Sequence, residues 1–245
     1  MALPAHELRL LRELAQSPEQ LAEWTRRREA GETLQYLTGE AYFRYETLLV
    51  GPGVFVPRPE TEVLAGWVIE RIGEKPGSPV VVDLCTGSGA IARSISKECP
   101  TSEVHAVELS ADALTWARKN LEGTGVDLRS GDFKDSFSDL NGLVDIVVSN
   151  PPYVPHSRRE EVANDVKENE PQMAVFSGDD GLDAIRDLIP TAARLLKPGG
   201  WLAFEHDDSQ GATVRALLAE HGYSSIETHR DLTGRERFTC AKWGW

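Results

Sequence analysis

The sequence predicts an α/β fold: a mostly parallel seven-stranded sheet wrapped by helices, preceded by a small helical region and a β-hairpin. Three observations predict it. Short apolar runs alternate with helix-length amphipathic stretches from residue 60 onward, one run ends in a glycine-containing turn that opens a helix, and the last two runs are joined by a short turn.

Residues 3–30 carry Leu3, Leu10, Leu11, Leu14 and Leu21 between charged positions, with Ser17 and Pro18 placed as N-cap and first helical residue, so two short amphipathic helices are expected. From 40 to 56 the pattern turns aromatic and β-branched, punctuated by Gly51, Pro52 and Gly53, which reads as a β-hairpin. A helix follows over about 60–72. Strands at 79–84, 103–109, 126–130 and 143–149 then alternate with helices. A helix over 182–196 ends at Lys197-Pro198-Gly199-Gly200, a buried strand covers 201–205, and a last helix covers about 209–220. The runs 223–230 and 237–243, joined by the turn at 231–234, are expected to pair antiparallel. Three segments are expected: helices over 1–38, a hairpin linker over 39–58, and the α/β domain over 59–245.

At 245 residues and 40% hydrophobic side chains, the chain can bury one large core with a small appendage. A formal charge of -13 repels phosphate backbones, and no dense run of Lys and Arg offsets it, so no stable nucleic-acid binding is expected. Cys85, Cys99 and Cys240 lack paired spacing and no His cluster joins them, so neither disulfides nor a metal site is expected. Glu7 and Arg9 interrupt the first leucines and no apolar stretch approaches a membrane span. The expectation is a soluble cytoplasmic monomer that does not engage membranes.

Val80-Val81-Val82-Asp83-Leu84 runs into Cys85-Thr86-Gly87-Ser88-Gly89, and a helix begins near Ala90. Such a turn lets a ligand approach the backbone at a helix N-terminus, although any tight strand-to-helix turn favours glycines. Glu108 ends the next strand about 20 residues on, where a carboxylate can accept both ribose hydroxyls of an adenosine. Asp132 and Phe133 follow the third strand at the same sheet edge; the carboxylate can take the adenine amino group while the ring packs on the base. Dinucleotide and S-adenosylmethionine sites share this pattern. The loop has fewer glycines than G-x-G-x-x-G, and no separate domain for a hydride acceptor follows, which favours S-adenosylmethionine, with S-adenosylhomocysteine as product.

The strand Asp145-Ile146-Val147-Val148-Ser149 ends in Asn150-Pro151-Pro152-Tyr153. In open α/β sheets ligands collect beyond the carboxyl ends of strands where the strand order reverses, which puts Asn150 beside the transferred methyl group. A conjugated nitrogen is a poor nucleophile because its lone pair is delocalised. If the Asn150 side-chain oxygen and the Pro151 carbonyl each accept one N–H, the nitrogen is held with its lone pair toward the methyl group. The prolines stiffen the turn and bring no competing N–H. Tyr153 can lie against the planar acceptor. A proline-bounded loop with a capping Asn is the bland alternative.

The chain resembles the bacterial release-factor glutamine methyltransferase family of class I S-adenosylmethionine-dependent enzymes over roughly residues 25–245. The likeness rests on Leu37-Thr38-Gly39, on Gly53-Val54-Phe55-Val56-Pro57-Arg58-Pro59-Glu60-Thr61-Glu62, on Asp83 to Gly89, on Asn150 to Tyr153, on Glu170-Pro171 and on Asp180-Gly181-Leu182. It implies a Rossmann-like methyltransferase domain over 59–245, with substrate recognition by the N-terminal helices. The implied acceptor is the Gly-Gly-Gln glutamine of class-1 peptide chain release factors. Phe55 would line the glutamine pocket with Asn150, Pro151, Pro152 and Tyr153; Cys85 to Gly89 and Glu108 would hold the cofactor, with Asn150 touching it as well. Asn150 to Tyr153 alone also fits adenine-N6 methyltransferases, which share the chemistry but need a basic surface. Three departures from the family stand out: Cys85 replaces a frequent glycine, Glu205-His206-Asp207 replaces an acid followed by a small or apolar residue and Gly, and the N-terminal helical region is short.

Overall fold

The computed structural model describes residues 3–244. The chain begins with α1 (Ala5–Leu14) and α2 (Pro18–Glu29); the Ser17 side chain accepts from Gln20 N–H at 3.1 Å and Pro18 opens α2, as the sequence predicts. A further short helix, α3 (Leu34–Thr38), closes on Gly39 in the left-handed conformation. The hairpin β1 (Glu40–Phe43) and β2 (Glu46–Leu49) is antiparallel, and Gly51 to Gly53 lie beyond it rather than within it.

The α/β domain runs α4 (Thr61–Gly73), β3 (Val80–Leu84), α5 (Ala90–Glu98), β4 (Glu103–Glu108), α6 (Ala111–Leu121), β5 (Asp127–Ser130) and β6 (Val144–Ser149). A segment with two short helices, α7 (Asn164–Asn169) and α8 (Gln172–Val175), precedes α9 (Asp183–Leu195), β7 (Leu196–Glu205), α10 (Gly211–Glu220), β8 (Tyr223–Arg230) and β9 (Glu236–Trp243). The seven-stranded sheet has the order β5-β4-β3-β6-β7-β9-β8, parallel except for β9, which is antiparallel to both its neighbours. The strand order reverses between β3 and β6, so the glycine turn and Asn150 leave the sheet side by side.

Alternation along the buried strands separates two cores. Val81, Ile146, Val148 and Ala203 face α4 and α5, whereas Val82, Leu84, Val147, Leu202 and Phe204 face α9 and α10. A third, smaller cluster, with Tyr36, Ala41, Val50, Val54 and Val56, seats the hairpin on Ala113 of α6.

The boundary that departs furthest from the sequence expectation within the sheet is the start of β7. Strand β7 starts at Leu196, not Trp201; its pairing jumps from Val144↔Leu196 to Ile146↔Trp201, so Lys197 to Gly200 bulge out. A Cβ on Gly200 would stand 2.9 Å from Lys197 O and 3.1 Å from Asp145 O, which is why the bulge takes glycine there. The stretch between Tyr153 and α9 is held down by its neighbours: Asn169 Nδ2 donates to Gly31 O at 3.1 Å and Arg28 pairs with Asp165 at 3.3 Å. Among the described residues no helix is long and apolar enough to cross a membrane.

Candidate active site

Behind β3 the chain turns with Cys85, Gly87 and Gly89 at φ of 62°, 58° and 85°. Cys85 therefore sits in the left-handed region, where a glycine would be unstrained. Open space surrounds Gly87, where an added Cβ would meet nothing within 4 Å; at Gly89 it would press on Leu121 Cγ at 3.0 Å. Beneath the turn, Asp83 Oδ2 accepts the Thr86 hydroxyl at 2.6 Å and Ala92 N–H at 3.2 Å, while Oδ1 is buried without a partner. Burial pushes the Asp83 carboxyl up to about 7.

Glu108 ends β4 only 8% exposed. Its Oε2 accepts Gly87 N–H and its Oε1 accepts Ser110 N–H, both at 2.8 Å. Burial raises its pKa, and those two N–H groups oppose the rise. Each oxygen keeps a further acceptor position, and Glu108 lines the cavity. Asp132 Oδ1 accepts Lys134 N–H at 3.0 Å, and its carboxylate also pairs with the Lys134 ammonium at 3.4 Å.

At the other side of the switch point, Ser149 donates to Leu84 O at 2.6 Å and locks β6 to β3 just before Asn150. Asn150 Nδ2 donates to Thr61 Oγ1 at 3.1 Å, the Thr61 hydroxyl donates to Glu205 Oε2 at 2.6 Å, and Tyr153 Oη donates to Glu205 Oε1 at 2.7 Å. Burial raises the Glu205 pKa, against which the two hydroxyls and the Arg237 guanidinium act. Burial and the facing Glu205 charge push the Tyr153 phenol well above its ordinary value. Arg237, on β9, is itself held by Asp231 at 3.1 Å.

Phe55 lies under the Arg58 guanidinium, 4.6 Å from ring centroid to Cζ. Arg58 pairs with Glu170 at 2.5 Å, and Glu170 also accepts Val56 N–H at 3.3 Å. Glu170 is buried, so this pair fastens the segment after the hairpin to the segment between Tyr153 and α9.

One cavity of about 500 Å³ joins these groups. Phe55, Cys85, Thr86, Gly87, Ser88, Glu108, Asp132, Phe133, Asn150, Pro151, Pro152 and Tyr153 all line it. Gly89, expected on the cofactor wall, does not; it takes a left-handed φ at a point where Leu121 leaves little room for a Cβ. Thr61, Glu205 and Arg237 line the cavity too, and sequence reasoning assigned none of them a role. An acid at the carboxyl end of a buried parallel strand was the available signal for Glu205. His206, the next residue, is off the cavity and fully buried, bonded to Thr239 Oγ1 and Asp207 O at 2.8 Å each. Outside the cavity lining, Glu227, His229 and Cys240 bring ligand-type atoms within 4.8 Å of one another.

Residues 51–227 match the family described as Methyltransferase small domain. A release factor glutamine methyltransferase of Streptomyces coelicolor is 55% identical over 218 residues, spanning 88% of this chain and 78% of that protein. A 4-amino-L-phenylalanine/4-methylamino-L-phenylalanine methyltransferase of Streptomyces pristinaespiralis is 41% identical over 91% of this chain and 80% of its own. The solved structure of ribosomal protein L11 methylase from Lactobacillus delbrueckii subsp. bulgaricus shares the fold, with a TM-score of 0.56 at 22% identity over 80% of this chain and 84% of that one. With the matched domain covering most of the sequence and relatives at this identity across nearly its whole length, the chain belongs to the release factor glutamine methyltransferase family.

Proposed function

We propose that this chain transfers the methyl group of S-adenosylmethionine to the side-chain amide nitrogen of the Gly-Gly-Gln glutamine in class-1 peptide chain release factors. The observation that carries the reading is the convergence of the glycine turn, Glu108 and Asn150 to Tyr153 on one cavity at the strand-order switch. The family membership narrows the acceptor to a nitrogen conjugated to a carbonyl or a ring.

The residues present fit the cofactor. Gly87 leaves open space at the turn, Glu108 offers two acceptor positions suited to vicinal ribose hydroxyls, and Asp132 with Phe133 offers an acceptor beside an apolar face. When bound, S-adenosylmethionine supplies an electrophilic sulfonium methyl and departs as S-adenosylhomocysteine. Asn150 Oδ1 and the Pro151 carbonyl each accept one N–H of the glutamine amide, which turns the nitrogen lone pair toward the methyl group. Pro151 and Pro152 keep the turn rigid and free of competing donors. Phe55 and Tyr153 flank the planar amide and exclude water from it. Catalysis is orientation rather than covalent chemistry: the nitrogen–methyl bond forms as the sulfur–methyl bond breaks, and the methylated nitrogen sheds one N–H proton to solvent as the product leaves.

The test is a competition. Purified enzyme receives labelled S-adenosylmethionine together with a release factor, free 4-amino-L-phenylalanine and an adenine-containing oligonucleotide. Label on the glutamine of the Gly-Gly-Gln peptide, located by tandem mass spectrometry, is the expected outcome. Label on adenine with the release factor untouched would hand the site to the adenine-N6 reading, which the charge of -13 disfavours.

A further inference from the structure

At the Asn150 end lies a buried carboxylate that bonds to two side-chain hydroxyls. Glu205 closes β7 at 1% exposure, and its two oxygens accept hydroxyls from different elements: Thr61, the first residue of α4, and Tyr153, beyond β6. A threonine hydroxyl has one hydrogen, and Glu205 takes it. Thr61 Oγ1 is left with lone pairs, so it can only accept from Asn150, and the group it meets at 3.1 Å is Nδ2. An Asn amide whose nitrogen is committed in this way has its oxygen committed as well.

We propose that Glu205 is a positioning residue for methyl transfer: through Thr61 it locks the Asn150 amide with Oδ1 toward the acceptor nitrogen, and through Tyr153 it fixes the opposing ring. One buried carboxylate thereby gives the acceptor pocket its hydrogen-bond-accepting character. The inference rests on the methyl-transfer reading above and deepens it. Were the Asn150 amide free to flip, it would present N–H to the substrate's own N–H, a donor against a donor, and would instead welcome a carboxylate oxygen. The relay therefore distinguishes glutamine from glutamate as well as holding the nitrogen. Arg237 supplies a counter-charge that, with the two hydroxyls, opposes the upward push of burial on the Glu205 carboxyl.

Three variants test it: Thr61→Val, which keeps shape and loses the hydroxyl, Thr61→Ser, which keeps the hydroxyl, and Glu205→Gln, which turns one acceptor into a donor. Loss of an orienting hydrogen bond to a reacting amide is expected to lower kcat by about tenfold or more in Thr61→Val and Glu205→Gln. Thr61→Ser should stay within about threefold of wild type, and S-adenosylmethionine affinity should hold within about threefold in all three, because none of the variants touches the glycine turn. A release factor carrying glutamate in its Gly-Gly-Gln motif should inhibit Thr61→Val more strongly, relative to wild type. A readout free of turnover is the exchange of the Asn150 side-chain NH₂, identified by its loss in Asn150→Ala: protected in wild type and Thr61→Ser, unprotected in Thr61→Val. Equal protection in Thr61→Val and wild type overturns the relay whatever the acceptor proves to be. So does a Thr61→Val kcat within twofold of wild type, or an equal loss in Thr61→Ser. Failure of wild-type enzyme to label glutamine, with the exchange pattern as expected, would instead overturn the acceptor assignment and leave the relay standing.

Discussion

The two ends of the cavity are built by different means. At the glycine turn the partners are close in sequence: Asp83 binds Thr86 three residues on, and Glu108 binds Gly87 at a separation of 21. At the Asn150 end they are remote: Asn150 meets Thr61 across 89 residues, Tyr153 meets Glu205 across 52, and Thr61 meets Glu205 across 144. The first end is a backbone shape that a strand, a turn and a helix make among themselves. The second is a set of side-chain orientations that exists only once the sheet has assembled. Holding an adenosine needs backbone proximity and a carboxylate, whereas orienting a poor nucleophile needs a fixed amide, and fixing an amide takes partners on both of its sides.

The largest expected effect follows from that contrast. On the proposed mechanism Asn150→Ala removes the acceptor for the glutamine N–H, and a turnover loss of about a hundredfold or more is expected, measured at saturating S-adenosylmethionine and release factor. A variant that turns over within tenfold of wild type would break the comparison, because the orienting end would then be dispensable.

Glu108→Ala acts on the other end and on another quantity. A doubly bonded carboxylate contributes about 1.5–3 kcal/mol, so S-adenosylmethionine affinity should fall more than tenfold by calorimetry. Unchanged affinity would remove Glu108 from the ribose position.

The smallest effect is on stability against pH. The Asp83 carboxyl lies at about 7 in the folded chain against an ordinary 3.8. Between those values the folded state holds a proton that the unfolded state releases, so its stability falls as pH rises through that window. Asp83→Asn keeps an oxygen for Thr86 and Ala92, places NH₂ where Oδ1 lacks a partner, and carries no charge. Its Tm should decline less steeply than that of wild type between about pH 4 and pH 7. Identical slopes would show that Asp83 is not the proton holder.

The same contrast explains what the sequence disclosed. Strands β3, β4, β5 and β6 and the glycine turn were legible because apolar runs and turn residues are local signals. Asn150 to Tyr153 was legible as a tetrapeptide, and Phe55 only through family likeness. The relay from Thr61 to Glu205 was not, since no spacing rule connects residues 144 apart. Lys197-Pro198-Gly199-Gly200 read as a helix stop and was one, but the strand's start at Leu196 depends on pairing with Val144, a tertiary fact. The short helices α3, α7 and α8 carry too few residues for periodicity, and α7 is held by Arg28 and Gly31 from the far N-terminal side.

The most direct test of the division between the two ends is calorimetric titration of S-adenosylmethionine into Asn150→Ala, set beside the turnover of the same preparation. The account predicts a Kd within about threefold of wild type while methyl transfer to release factor is lost. A Kd raised as far as in Glu108→Ala would contradict it, because Asn150 would then belong to the cofactor's grip and not to the orientation of the glutamine.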